Sequence, residues 1–247
     1  MMRRVAMISL LVLAAACSAG AQGPQGEQAR ARASGEQGQR SFEVAAFDSV
    51  SLGGPYDVVI TVGGAPSVRA EGDAQALERM EIRVEGSDLK IETRREGLFS
   101  RGDHGAATVY VTVPALRSAS IGGAGDMRID RVEGQSFSAS IGGAGNMEIA
   151  ALRAPETRFS VAGSGTIRAA GTTERTALSI AGAGDLDLAA LRTQTADVSI
   201  AGSGNVELWA ARAVEGSVVG SGNVIVNGTA HCSVSKIGSG DIRCGGG

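Results

Sequence analysis

The sequence predicts an all-β chain folded as a parallel β-helix, a solenoid of stacked coils, and two observations predict it. A motif of the form Ser-x-x-Gly-x-Gly recurs at intervals of 18–20 residues, at Ser120, Ser140, Ser160, Ser179, Ser199, Ser217 and Ser235. A fixed period of this size is typical of units that stack in one dimension. Around each motif, apolar residues alternate with other residues, which is the period of strands and not of helices.

Each repeat is predicted to be a strand, a glycine turn and a second strand, followed by a variable corner. The glycines supply the positive φ that so short a corner requires. One inward column is predicted two residues before the first glycine of each motif, at Ile121, Ile141, Val161, Ile180, Ile200, Val218 and Lys236. Coils of 18–20 residues are therefore expected to enclose a continuous aliphatic core.

Three further columns, composed mainly of polar residues, recur with the motif and are predicted to form ladders. The first is the serine column, and the second comprises Asp126, Asn146, Thr166, Asp185, Asn205, Asn223 and Asp241. The third faces outward and comprises Arg128, Glu148, Arg168, Asp187, Glu207, Ile225 and Arg243, of which the first four alternate in sign. Opposite charges on neighbouring strands favour the correct register by about 0.2–1 kcal/mol per pair.

No catalytic, cofactor-binding or metal-binding residue is predicted. The chain has only two histidines, His104 and His231, and neither recurs with the serines as a nucleophile would require. Calcium is not expected, because four of the seven residues in the second column are Asn or Thr and calcium needs several carboxylates. With a net charge of −3 and no basic stripe, the chain gives no reason to expect a nucleic-acid partner.

The N-terminus is predicted to direct export. Residues 1–16 have a charged start and an apolar run too short to span a bilayer, as in a secretory signal. Cys17 follows Leu13-Ala14-Ala15-Ala16, which resembles a bacterial lipobox and predicts a lipidated Cys17 on the outer membrane; ordinary cleavage after Ala16 or Ala21 is the alternative. Residues 17–40 lack an apolar period and are predicted to be a disordered tether.

The two remaining cysteines, Cys232 and Cys244, flank Gly238 symmetrically in the last coil. In an exported protein this arrangement predicts a disulfide that locks the end of the solenoid. A metal pair with His231 as a further ligand is the alternative.

Residues 41–116 are β-rich without the strict repeat and are predicted to be first coils with longer insertions, forming an N-terminal cap ahead of the repeats at 117–247. Residues 50–54 are a degenerate copy of the motif, and residues 74–80 are predicted to be a short helix with Asp73 as its N-cap. The segment 92–107 is predicted to be a mobile loop, and its tripeptide Arg101-Gly102-Asp103 is interpreted as a coincidence.

The order of these features resembles the bacterial "putative autotransporter adhesin, head GIN domain" family. The resemblance covers residues 42–243: a Val-Val-Ile strand after Gly53 and Gly54, a turn at 71–73, a Leu-Lys-Ile strand at 89–91, a Val-Thr-Val-Pro-Ala-Leu segment at 111–116, and the glycine repeats. It implies a right-handed β-helix in the cell envelope and an adhesin role. It implies no catalytic residues.

The expected function is that of a non-enzymatic envelope lipoprotein, attached to the membrane by a lipid anchor, that binds a surface glycan or an envelope protein. One alternative is a carbohydrate-active enzyme, although aromatic sugar platforms are limited to Tyr56, Tyr110 and Trp209, and Trp209 is expected to cover a corner of the core. The other is a scaffold that associates end to end, which open solenoid ends favour and a locked last coil disfavours.

Overall fold

Twenty strands and one short helix follow each other along residues 37–94 and 105–245, which are the residues that the computed structural model describes. The N-terminal elements are β1 (Gln37–Phe42), β2 (Ser49–Leu52), β3 (Asp57–Val62), β4 (Ser67–Asp73), α1 (Ala74–Arg79), β5 (Met80–Glu85), β6 (Asp88–Thr93) and β7 (Ala107–Val113). The repeat region contains β8 (Ser118–Ile121), β9 (Met127–Ile129), β10 (Val132–Glu133), β11 (Ser136–Ile141), β12 (Asn146–Arg153), β13 (Glu156–Gly163), β14 (Thr166–Thr172), β15 (Arg175–Gly182), β16 (Asp185–Gly202), β17 (Val206–Gly220), β18 (Val224–Gly228), β19 (His231–Gly238) and β20 (Ile242–Cys244).

The repeats stack in parallel, and equivalent motif positions pair directly. Ser160 pairs with Ser179, and Val161 pairs with Ile180. The strands before the glycine turns form one wall of the coil, wall A, which runs β6–β2–β8–β11–β13–β15–β16–β17–β19. The strands after the turns form wall B, which runs β1–β4–β7–β3–β9–β12–β14–β16–β17–β18–β20. The predicted β-helix is confirmed.

The core is a continuous aliphatic stack between the walls. Its largest buried side chains include Phe137, Phe159, Ile121, Met127 and Ile129, each no more than 2% exposed. Full burial of one such side chain contributes about 1.5–3 kcal/mol. Because the same motif position recurs in every coil, each inward residue packs on its counterparts in the neighbouring coils, as the alternation predicts.

The N-terminal end departs from simple sequential stacking. The coil formed by β2 and β3 contacts β8 and β9 on one side and β6 and β7 on the other, so that a later segment of the chain stacks outside an earlier one. Antiparallel strands then close this end: β5 pairs with β6, and β4 and β1 extend wall B beyond β7.

Helix α1 lies within this cap and confirms the helix predicted for residues 74–80. Asp73 is the N-cap, and its carboxylate accepts a hydrogen bond of 2.9 Å from the backbone nitrogen of Gln75. Ala76 and Leu77 are buried, so the short helix contributes apolar side chains to the core. Tertiary packing is what makes six residues of helix stable.

The tether predicted at 17–40 ends earlier than expected. Residues 37–40 belong to β1, which pairs antiparallel with β4, and Arg40 donates a hydrogen bond of 2.6 Å to the carbonyl of Leu77. An edge strand with one solvated side needs little apolar periodicity, which is why the composition of this segment predicted a tether.

The predicted signal at 1–16, most of the tether, and the tripeptide at 101–103 lie outside the described residues.

Strand β5, which extends wall A beyond β6, carries a network of charges together with β6. Arg83 contacts Glu85 and Glu92 at 2.7 Å and Glu81 at 3.2 Å, and Lys90 forms a further ion pair with Glu85. Hydrogen bonds from Lys90 and then Arg83 lower the pKa of Glu85 to about 2, so its carboxylate is charged at physiological pH. Charged side chains on an edge strand oppose pairing with another molecule.

The last coil, formed by β19 and β20, stands at the C-terminal end of the stack. Cys232 pairs with Val214 and Cys244 pairs with Val226, so both cysteines occupy columns whose previous members are buried. Their sulfur atoms are bonded, and the two Cα atoms lie 6.2 Å apart. The bond thus joins the end of wall A to the end of wall B.

Replacing Cys232 and Cys244 with serine is expected to destabilise the last coil by about 3 kcal/mol, because the bond restricts a short loop of the unfolded chain. Amide hydrogen exchange should increase in β19 and β20 and remain unchanged in β13–β15. Peptide mass spectrometry without reduction should first show the two cysteines linked. Alkylation of both cysteines in the unreduced protein would contradict the prediction.

Candidate functional site

The residues predicted to carry function fall into two groups. Cys17 lies outside the described residues, and Cys232 and Cys244 are joined at the C-terminal end as a structural link. Within residues 37–94 and 105–245, no three His, Cys, Asp or Glu side chains are grouped so that they could hold a metal ion. The accessible polar side chains lie on the outer surfaces of the two walls.

Wall B presents one continuous outward column along its whole length. Successive strands pair the following residues in register: Ser41, Arg69, Tyr110, Val59, Arg128, Glu148, Arg168, Asp187, Glu207, Ile225 and Arg243. The predicted charge ladder is its C-terminal part, with Arg128–Glu148 at 4.0 Å and Arg168–Asp187 at 3.2 Å. The sequence did not predict its extension through Tyr110, Arg69 and Ser41, because antiparallel pairing between distant segments leaves no repeat.

The C-terminal part of wall B contains a groove of about 510 Å³, called the polar groove here. It runs across five strands, from β14 to β20, between the outward column and the second polar column of the sequence, called the Asx column here, which comprises Asp126, Asn146, Thr166, Asp185, Asn205, Asn223 and Asp241. Its lining combines guanidinium groups, carboxylates and amides with Ile225, which is 38% exposed. Arg243 and the carboxylate of Asp241 have no side-chain partner within the described residues.

The Asx column beside the polar groove is held by its own hydrogen bonds, as the sequence predicted. The amide of Asn205 donates to Asp185 at 2.8 Å, and the amide of Asn223 donates to Asn205 at 2.8 Å. The side-chain oxygen of Asn223 then accepts from the backbone nitrogen of Asp241 at 2.9 Å. These planar groups are fixed in one orientation while keeping further donors and acceptors for a ligand.

A second groove, of about 580 Å³, lies at the N-terminal end of the same wall and is called the Tyr110 groove here. Tyr110 is 37% exposed, and the guanidinium of Arg69 lies 4.8 Å from the centre of its ring. Arg69 is held in turn by Glu71 at 2.5 Å. Hydroxyl groups of Ser41, Ser67 and Thr112 contribute to the lining.

The other two aromatic residues considered as sugar platforms are placed differently. Tyr56 is 1% exposed, and its hydroxyl accepts a hydrogen bond of 3.1 Å from Thr93, so it belongs to the core. Trp209 is half-buried under the guanidinium of Arg192, which lies 4.3 Å from the ring, and next to Gly228. Tyr110 is thus the most accessible of the three.

Wall A presents the serine column, which extends from Ser51 in the degenerate copy to Ser235. The predicted hydroxyl ladder forms only at its start, where Ser120 donates to Ser51 at 2.9 Å and Ser51 donates to Asp88. From Ser140 to Ser217, the hydroxyls have no partner among the described residues. Wall A also carries two grooves, of about 300 Å³ and 380 Å³, which are smaller than the two grooves of wall B.

Among the described residues, no helix is both long and apolar enough to cross a bilayer.

The fold and surfaces define a β-solenoid whose accessible polar side chains lie along its outer walls. The chain belongs to the family described as "Putative auto-transporter adhesin, head GIN domain", whose profile matches residues 46–230. This assignment confirms the resemblance found in the sequence and indicates a protein of the cell surface or envelope.

Solved structures share the fold. One is "a putative adhesin" from Bacteroides fragilis NCTC 9343, with a TM-score of 0.73 and 21% identity over 85% of this chain and 97% of that chain. Another is a "Putative lipid binding protein" from Parabacteroides distasonis ATCC 8503, with a TM-score of 0.69 and 22% identity over 86% and 98%. A third is "a putative adhesin" from Parabacteroides merdae ATCC 43184, with a TM-score of 0.67 and 18% identity over 86% and 98%. No curated protein gives a significant match.

Proposed function

We propose that the chain is a non-enzymatic binding protein of the bacterial cell envelope, of the adhesin type. The observation that carries the proposal is the outer surface of wall B, where two grooves lie along one in-register column of side chains. The family description supports a role in adhesion. A rigid stack suits such a role, because side chains that are already ordered lose little entropy when a partner binds.

Envelopes exposed to the purified mature chain should capture it, and deletion of the protein should reduce attachment of cells to their natural surface. A variant that carries a bulky label on wall B, attached to the cysteine of Thr166→Cys, should no longer be captured by envelopes. The same label on wall A, attached to the cysteine of Ser179→Cys, should leave capture unchanged. Capture that is equally sensitive to both labels would argue against wall B. Turnover of a polysaccharide by the purified protein would contradict a purely binding role.

We further propose that Cys17 is the lipidated first residue of the mature protein and anchors it in the outer membrane. The lipobox-like Leu13-Ala14-Ala15-Ala16 before Cys17 supports this anchor. The intact mass of the protein extracted from membranes should correspond to a chain that begins at a triacylated Cys17, and protease added to whole cells should cleave it. An unlipidated chain in the soluble periplasmic fraction would overturn the anchor.

A further inference from the structure

We infer that the ligand of wall B is a linear, uncharged oligosaccharide chain that lies along the axis of the stack. The inference rests on the binding function proposed above and assigns to it a surface and a class of ligand. Three properties of wall B lead to it: its length, its pattern of charge, and the chemistry of its two grooves.

Length favours a polymer over a small molecule. The Tyr110 groove and the polar groove lie at opposite ends of one column that crosses eleven strands, from Ser41 to Arg243. At about 4.8 Å per strand, this column extends roughly 48 Å. A single extended chain could occupy both grooves, and joining two weak sites through one ligand raises affinity without any new contact.

Charge favours an uncharged polymer. The column carries Arg69, Arg128, Arg168 and Arg243 as cations, and Glu148, Asp187 and Glu207 as anions. Both signs occur along the wall, alternating from Arg128 to Asp187, so a ligand with one repeated charge would meet repulsion as well as attraction. Carboxylates of Asp185 and Asp241 in the Asx column make the polar groove still less suitable for a polyanion.

The grooves match the two kinds of surface that a sugar offers. Hydroxyl groups both donate and accept hydrogen bonds, and the polar groove supplies acceptors at Asp241 and Glu207 beside donors at Arg243 and Asn223. The Asx ladder holds these groups in place before binding. Sugar rings also have apolar C–H faces, for which the exposed part of Tyr110 and the side chain of Ile225 provide contacts.

Calorimetry on the full mature chain can test the inference with cello-oligosaccharides and fully N-acetylated chito-oligosaccharides of increasing length, and with oligogalacturonates as anionic probes. Affinity for the uncharged series should rise with chain length beyond the hexasaccharide, and the anionic series should bind more weakly. Tyr110→Ala and Arg243→Ala should each weaken binding of the longest probe by about tenfold or more. Arg158→Ala is the matched control, because Arg158 is an exposed arginine on wall A without an ion-pair partner in the described part of the chain.

Circular dichroism should show that all three variants are folded. The inference is overturned if no uncharged oligosaccharide binds, if the anionic series binds more tightly, or if Arg158→Ala weakens binding as much as Arg243→Ala. Capture of the protein by envelopes distinguishes a failure of the sugar-ligand inference from a failure of the proposed binding function. Capture that is lost after protease treatment and is not competed by an excess of the longest uncharged oligosaccharide overturns the sugar ligand while the binding function stands, and absence of capture overturns both.

Discussion

Replacing Gly202 with alanine is expected to lower the free energy of unfolding by about 2–6 kcal/mol, through two separate penalties of about 1–3 kcal/mol each. Gly202 has a φ of +138°, a conformation that side-chain-bearing residues rarely adopt. A Cβ atom at this position would also overlap the backbone carbonyl oxygen of Gly182 in the preceding coil. Since that oxygen accepts a hydrogen bond of 2.8 Å from the nitrogen of Ser203, it cannot move away without loss.

Two other glycines separate the penalties. Gly63 has a φ of +112° but open space around the added Cβ, so Gly63→Ala should show the cost of the backbone conformation alone. Gly145 lacks a left-handed φ but would place its Cβ against the carbonyl oxygen of Gly125, so Gly145→Ala should show the cost of close approach alone. Urea denaturation of the three variants measures all these costs. If Gly202→Ala costs no more than Gly63→Ala, close stacking is not what requires glycine here.

Periodicity predicted the repeat region well, because in a solenoid the local pattern and the tertiary contacts express the same regularity. Ser51 illustrates this: a five-residue degenerate copy sufficed to place it, and it pairs with Ser120 across 69 positions of sequence. The Asx ladder and the charge pairs Arg128–Glu148 and Arg168–Asp187 follow from the same register.

The N-terminal cap could be predicted only as a set of strands. Alternation in β7 indicates that Tyr110 faces outward, but nothing local indicates that Arg69 of β4 pairs beside it or that β1 extends the wall. Pairing between distant antiparallel segments depends on how the whole chain closes, which a periodic pattern does not encode. One of the two proposed ligand grooves, the Tyr110 groove, can therefore be identified only from the structure. The polar groove could be anticipated from the sequence repeat.

Replacing Lys236 with isoleucine is expected to make the protein associate end to end. Lys236 occupies the inward column of the last coil, in register with the buried Val218, and its amine donates a hydrogen bond of 2.6 Å to the carbonyl of Gly240. It thereby places a charge at the open end of an apolar core. The outer edges of β19 and β20 have no further strand beside them within the described residues, and an inward charge is one means by which such edges avoid pairing with another chain.

Isoleucine would restore at position 236 the apolar side chain that the column has in the preceding coils, and would leave an apolar surface beside two unpaired strands. Sedimentation velocity over a range of concentrations should then show larger species than the parent protein forms at the same concentrations. Ser235→Ile is the control, because it adds the same side chain to the same strand on the outer side of wall A. Association of both variants to the same extent would mean that exposed hydrophobicity alone drives it, and a monomeric Lys236→Ile would show that the charge does not protect this end.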